Sequence, residues 1–283
     1  MIARKQDGIA FWAGHWPFDP HRPTLVFIHG SGQQGSFWQA QVDGLTGIAN
    51  TIALDLPGHG NSSGDGFRQV SDYAHSVLAF IDAIGAPAPI PCGLSLGGAI
   101  ALHLLIHHGE RLKAGILANT GARLKVQPAI IETIENNYDK HLKGLTEFAV
   151  AQVNHSNENI CQKVLACSTA DPVVTANDFR ACDAFDVMHQ VPRISVPVLV
   201  LSAVHDILTP IKYANWMAAN INGARHVSID GAGHMSPIER PEAFNAAISS
   251  FLESLDNVRK FLDATGHPAT VMDVPARYLK GHR

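Results

Sequence analysis

Along most of this chain, short apolar runs alternate with longer stretches of helical period. Thr24-Leu25-Val26-Phe27-Ile28 is nearly all apolar and ends in a glycine turn, as a strand covered on both faces requires. Thr51-Ile52-Ala53-Leu54 is a second such run, ending in Asp55-Leu56-Pro57-Gly58. Further strands are expected near 114–118, 198–202 and 226–229. Between about Ser71 and Ile84, Tyr73, Val77, Phe80, Ile81 and Ile84 share one helical face. From Pro241, a first-turn residue, Phe244, Ala247, Ile248, Phe251, Leu252 and Leu255 form another stripe. Alternation of this kind predicts the α/β class: a mostly parallel sheet flanked by helices.

Residues 121–191 break the pattern. Ile130, Ile134, Tyr138, Leu142, Leu145 and Phe148 recur at helical spacing with no convincing strand, which predicts a helical cap insertion over the strand ends. The core is then expected at 1–120 and 192–255, with 256–283 as a C-terminal tail. Hydrophobic residues at 46% suffice for a sizeable core in 283 residues. Charged residues at 16%, against about 25% in typical domains, exclude a disordered chain.

A net charge of −4 leaves no basic excess to neutralise a phosphate backbone or an acidic membrane, so neither nucleic acid nor a membrane is the expected partner. No charged residue occurs from Ala83 to Gly109, but three prolines and five glycines there point to a strand, a turn and a helix rather than a membrane span. The four cysteines, Cys92, Cys161, Cys167 and Cys182, form no C-x-x-C pair and are too sparse for a disulfide scaffold. With no apolar leader at residues 1–7, the expected compartment is reducing, most simply the cytoplasm. Self-association as a homo-oligomer is compatible with all of this.

The sharpest chemical feature is Gly93-Leu94-Ser95-Leu96-Gly97-Gly98, where an apolar segment meets a helical one. A strand turning abruptly into a helix strains its apex residue and needs small neighbours two positions away. Gly93 and Gly97 satisfy that need, and Gly98 allows close approach of helix to sheet. The Ser95 hydroxyl would stand at a helix N-terminus, where N–H groups favour negative charge. Alone, the motif also fits an ordinary glycine-rich turn. His29-Gly30-Ser31-Gly32 follows the first apolar run, and the N–H groups of Ser31 and Leu96 could together hold an oxyanion.

Asp206 and His234 each follow a predicted strand. Singly, a loop aspartate is a turn residue, and most of 16 histidines must be bystanders. Jointly they supply what an unactivated serine lacks: an imidazole base and a carboxylate to orient it. The order Ser95, Asp206, His234, each at a strand's C-terminal end, puts all three on one sheet edge.

Over roughly residues 9–255 these motifs, with Asp55-Leu56-Pro57-Gly58-His59-Gly60-Asn61-Ser62, resemble the serine hydrolase branch of the α/β-hydrolase superfamily. Cys92–Gly98 and Leu117–Arg123 are similar to enol-lactonases; His29–Gly32 is equally at home in carboxylesterases. The resemblance implies Ser95 as nucleophile, His234 as general base then acid, and Asp206 as the orienting carboxylate. It also implies an oxyanion hole from the Ser31 and Leu96 amides. Some members place the acid one strand earlier. That position is Asn119, which cannot be a carboxylate.

The implied reaction is hydrolysis of an ester or lactone of a small-to-medium, largely apolar substrate through an acyl-enzyme. Phe37, Trp38 and Met235 are candidate pocket residues, although core packing explains them equally well. No cofactor or metal is called for: His103 and His107 lie four apart on one helix but lack an evident third ligand. Asp55 is expected to hold its turn, and Cys92 to be a small buried hydrophobe. Two alternatives stay open: a carbon–carbon bond hydrolase or cofactor-free oxidative enzyme using the same groups, and a ligand-sensing receptor with weak turnover. Pro89 and Pro91 predict a short strand before Ser95, centred on Cys92.

Overall fold

The computed structural model describes residues 1–265. In chain order the elements are β1 (Ile2–Gln6), β2 (Ile9–Ala13), β3 (Thr24–Ile28), α1 (Gln39–Gly44), β4 (Asn50–Leu54), α2 (Val70–Ala83), β5 (Pro89–Leu94), α3 (Leu96–His107) and β6 (Gly115–Ala118). There follow α4 (Pro128–Asn136), α5 (Tyr138–Phe148), α6 (Glu158–Ala166), α7 (Pro172–Ala184), β7 (Val198–Ala203), α8 (Ile211–Asn220), β8 (Arg225–Ile229), α9 (Ser236–Glu239) and α10 (Pro241–Thr265). Of the expected tail, 256–265 continues α10, and 266–283 lies outside the described residues.

The strands form one sheet in the order β1-β2-β4-β3-β5-β6-β7-β8. All neighbours from β4 to β8 are parallel, while β1 and β2 add an antiparallel hairpin at one edge. All five residues of β3 are buried because alternate side chains enter opposite layers. Val26 and Ile28 pack in the layer holding α2, α3 and α8; Leu25 and Phe27 pack in the layer holding α1 and α10. Every parallel strand therefore ends at the same sheet edge, which delivers the loops after β3, β5, β6, β7 and β8 to one place.

Two expectations change. The β1–β2 hairpin was not anticipated, since Ile-Ala-Arg-Lys-Gln has no alternation and β1 is an almost wholly exposed edge strand. Its available signal was Asp7-Gly8, a favoured two-residue hairpin turn. The strand before Ser95 is also not short: β5 runs from Pro89 and pairs with β3 along its length, Thr24↔Pro89 to Ile28↔Gly93. The Pro89 carbonyl accepts from Lys113 N–H (3.0 Å), on the side of β6. The prolines' missing donors face that same side, where pairing with β6 starts only at Cys92↔Ile116. The pairing with β3 is therefore untouched by the prolines, and their cost falls on the β6 side, where the regular ladder begins after Pro91.

Residues 119–197 carry α4 to α7 and, among the described residues, only an isolated bridge, Arg123↔Asp186. Among the described residues no helix is long and apolar enough to cross a membrane. The uncharged stretch 83–109 is β5, the turn and α3.

Candidate active site

Ser95 sits between β5 and α3 with φ 54° and ψ −115°, a backbone region that L-residues rarely occupy. The flanking glycines explain how the turn closes. A Cβ on Gly93 would lie 1.9 Å from the Gly97 carbonyl oxygen, and one on Gly97 would lie 2.1 Å from the Ile28 carbonyl oxygen. A Cβ on Gly98 would strike Thr120 at 2.6 Å, so α3 does lie close against the sheet there. Ser95 N–H donates to Ala118 O (3.1 Å), and Thr120 Oγ1 donates to Ser95 O (2.8 Å), which pins the apex to the end of β6. Leu96 opens α3, so its N–H has no intrahelical acceptor.

Asp206, after β7, and His234, after β8, meet directly. His234 Nδ1 lies 2.9 Å from Asp206 Oδ2, and both residues are buried. Asp206 Oδ1 accepts from Leu208 N–H and Thr209 N–H, each at 2.9 Å. Oδ2 also accepts from Thr209 Oγ1 (2.6 Å) and Asn119 Nδ2 (2.8 Å). Burial disfavours the charge, but attraction to His234 and these hydrogen bonds hold the carboxyl down at about 2. Asp206 is thus an anion at neutral pH, with His234 Nδ1–H directed at it and Nε2 left as the basic nitrogen.

No hydrogen bond joins the Ser95 hydroxyl to His234 among the described residues. The two share the wall of one cavity of about 130 Å³. Ser31, Gly30, Gln33 and Met235 face the same space, as do Leu124, Val126, Ile130, Leu145, Phe179 and Cys182 from the helical insertion. Apolar side chains dominate this lining.

The Ser31 amide has no partner among the described residues, and its orientation has a cause. Leu56 N–H donates to His29 Nε2 (3.0 Å), so the His29 proton sits on Nδ1, 2.8 Å from the Gly30 carbonyl oxygen. A trans peptide directs its N–H opposite its C=O. Anchoring Gly30 O therefore turns Ser31 N–H the other way. Burial, and secondarily His59, lowers the His29 pKa well below its usual value and keeps the ring neutral, as its acceptor role demands.

Met235 lies on the wall of this cavity; Phe37 and Trp38 do not. Trp38 is fully buried, stacked on Phe27 (5.0 Å between centroids) and edge-on to Phe37 (5.0 Å), beside Phe244. Of the two readings open for these rings, pocket or core, the turn at 35–38 decides for the core, carrying both under the sheet.

Residues not anticipated are Asn119 as a donor to the acid, Thr209, and the lining from 124–182. Asp206-Ile207-Leu208-Thr209 carried a local signal, an aspartate whose side chain accepts N–H groups two and three residues on. The lining carried none beyond helical period. Asp55 does hold its turn, accepting from Gly35 N–H (2.6 Å) and Asn61 N–H (2.9 Å). Cys92 is fully buried. The rings of His103 and His107 lie tilted to one another at 4.4 Å, and among the described residues no group of three or more His, Cys, Asp or Glu could hold a metal ion.

A model of the family described as alpha/beta hydrolase matches residues 25–247. The 3-oxoadipate enol-lactonase 1 of Acinetobacter baylyi is 29% identical over 239 residues, which is 82% of this chain and 90% of that protein. A pimeloyl-[acyl-carrier protein] methyl ester esterase of Neisseria meningitidis is 28% identical over 249 residues, covering 82% and 94%. Among solved structures, the enol-lactonase from Burkholderia xenovorans LB400 shares the fold at TM-score 0.77 and 24% identity, covering 89% of this chain and 99% of that one. A thermophilic esterase matches at TM-score 0.74 and 30% identity, covering 90% and 97%.

Proposed function

The chain belongs to the α/β-hydrolase family, and on that premise we propose that it is a serine hydrolase of carboxylic esters or lactones. The observation that carries this reading is one cavity wall. It holds a strained serine at a helix N-terminus and a histidine whose Nδ1 lies 2.9 Å from a buried carboxylate. Relatives named for lactone and methyl ester hydrolysis support the same chemistry.

Ser95 Oγ attacks the carbonyl carbon as His234 Nε2 takes its proton. Asp206 stabilises the resulting imidazolium without itself accepting the proton. The tetrahedral oxyanion is received by the Ser31 and Leu96 N–H groups; each such donor typically contributes about 3 kcal/mol to the transition state. His234 then protonates the leaving alkoxide, and water, deprotonated by the same nitrogen, releases the acyl group. The Ser95–His234 contact closes when substrate arrives, as such contacts often do. Residues 121–191 act as the cap, and the lining from Leu124, Val126, Ile130, Leu145 and Phe179 selects a small, largely apolar substrate.

The test is hydrolysis of p-nitrophenyl acetate and butyrate, with Ser95→Ala expected to lower kcat by about 10⁶, as loss of a triad serine does elsewhere. A fluorophosphonate should label the peptide containing Ser95, and quenched turnover should yield its acyl adduct by mass spectrometry. Turnover retained in Ser95→Ala, or label on another serine, overturns the assignment. Turnover of a carbon–carbon substrate with no acyl adduct would favour that chemistry, and tight binding with negligible turnover of every ester would favour a receptor.

A further inference from the structure

Asp178, on α7 of the helical insertion, is fully buried and reaches three parts of the core. Its Oδ2 accepts from Gly32 N–H (2.8 Å) and from His59 Nε2 (2.8 Å), and its Oδ1 accepts from Tyr73 OH (2.5 Å). The other ring nitrogen of His59 faces the Pro57 carbonyl (3.0 Å), so both nitrogens donate and the ring is an imidazolium paired with the carboxylate. A buried pair of this kind is a weak source of stability and calls for another account.

Gly32 supplies one. Its N–H is held by Asp178, while its carbonyl accepts from Ala170 N–H (3.2 Å), just before α7. Its φ is +69°, and a Cβ there would come within 3.0 Å of Thr175, also on α7. Both hydrogen-bonding groups of the residue after Ser31 are therefore gripped by the insertion rather than by the sheet.

We propose that Asp178 is a positioning residue for the oxyanion hole: from the insertion, it clamps the Gly32 peptide so that the neighbouring Ser31 N–H meets the reacting carbonyl oxygen. The inference rests on the serine hydrolase reading and extends it. His29 holds the peptide before Ser31 and the insertion holds the one after it, so the placement of the insertion bears directly on one of the two oxyanion donors. Asp178 touches no substrate; it acts through Gly32 and Ser31.

The readout is the ratio of kcat for an ester to kcat for its thionoester, because a C=S sulfur accepts oxyanion-hole hydrogen bonds poorly. In Asp178→Ala, kcat for p-nitrophenyl acetate should fall about 10²-fold, and the ester-to-thionoester ratio should fall with it, while KM changes by less than about threefold. Asp178→Asn keeps an acceptor oxygen for Gly32 and should restore both values to within about fivefold of wild type. A merely structural residue would lower the melting temperature and leave the ratio alone. An unchanged ratio in folded Asp178→Ala overturns the clamp. If that variant does not fold, Asp178→Ser carries the test, since its shorter side chain draws the acceptor back from Gly32 N–H while keeping a polar group at the site. It should lower the ratio at least about threefold, and no change overturns the clamp. If Ser95→Ala retains wild-type turnover, the hydrolase reading fails and the clamp with it. If Ser95 is essential while Asp178→Ala keeps the wild-type ratio, the clamp alone fails.

Discussion

Asn119 Nδ2 donates to Asp206 Oδ2 at 2.8 Å, so the amide at the end of β6 holds the carboxylate at the end of β7. Asn119 Oδ1 in turn accepts from Ser236 Oγ (2.7 Å), which fixes which way the amide points. The residue has φ 43°, a conformation that Asn and Asp tolerate better than other side chains. Asn119→Asp therefore keeps the backbone and replaces a donor by a second carboxylate. Like charges at this distance cannot both persist, so the acid limb of the kcat profile should move upward and kcat should fall about tenfold or more. A profile superimposable on wild type would show that the amide does not support Asp206.

The backbone of Ser95 is strained, and the strain is separable from its chemistry. Ser95→Ala and Ser95→Gly should be equally inactive toward p-nitrophenyl esters. Glycine relieves the positive φ but gains entropy in the unfolded chain, a net difference of about 1 kcal/mol in its favour. Urea denaturation should find Ser95→Gly the more stable of the two. The reverse order would mean that the apex stores no usable strain.

Trp38 and Ile130 should separate cleanly. Trp38→Ala empties a fully buried site and should cost about 3–5 kcal/mol while leaving kcat/KM of the folded protein unchanged. Ile130→Ala enlarges the cavity and should shift preference toward longer acyl chains by about tenfold, read as hexanoate against acetate esters. A Trp38 variant with altered chain-length preference would return that ring to the pocket.

Two buried groups give opposite pH dependences. Asp206, held at about 2 in the fold, stabilises it fully above the ordinary carboxylate range; that contribution, about 2 kcal/mol, is lost as pH falls through about 4 toward 2. Wild type and Asp206→Asn should therefore converge in urea midpoint as the solution is acidified. For His59, burial opposes the charge, but Asp178, aided by the Pro57 carbonyl and Asp55, raises the pKa. Its contribution is complete below about 6.5 and disappears as pH rises through the folded value. The gap between wild type and His59→Gln should narrow as the solution is made alkaline. A widening gap would reverse the assigned charge.

Much was legible because it is local. The strands at 24–28, 51–54, 198–202 and 226–229 lie within a residue of those observed, because an apolar run buried on both faces leaves a continuous mark. The turn at Ser95 was legible because Gly93 and Gly97 are sterically required there. The exposed strand β1 was not, since a charged edge has no burial pattern. The extent of β5 was not either, because proline's cost depends on whether a neighbour stands opposite.

Sequence alone determined the order of elements, the strained serine and the residue types able to activate it, since these follow from backbone sterics and local burial. Which side chains meet was decided only by the tertiary structure. Asn119 on Asp206, Asp178 on Gly32, and Trp38 in the core instead of the cavity depend on register and helix placement between distant segments. A hydrogen bond reaches about 3 Å and does not depend on separation along the chain.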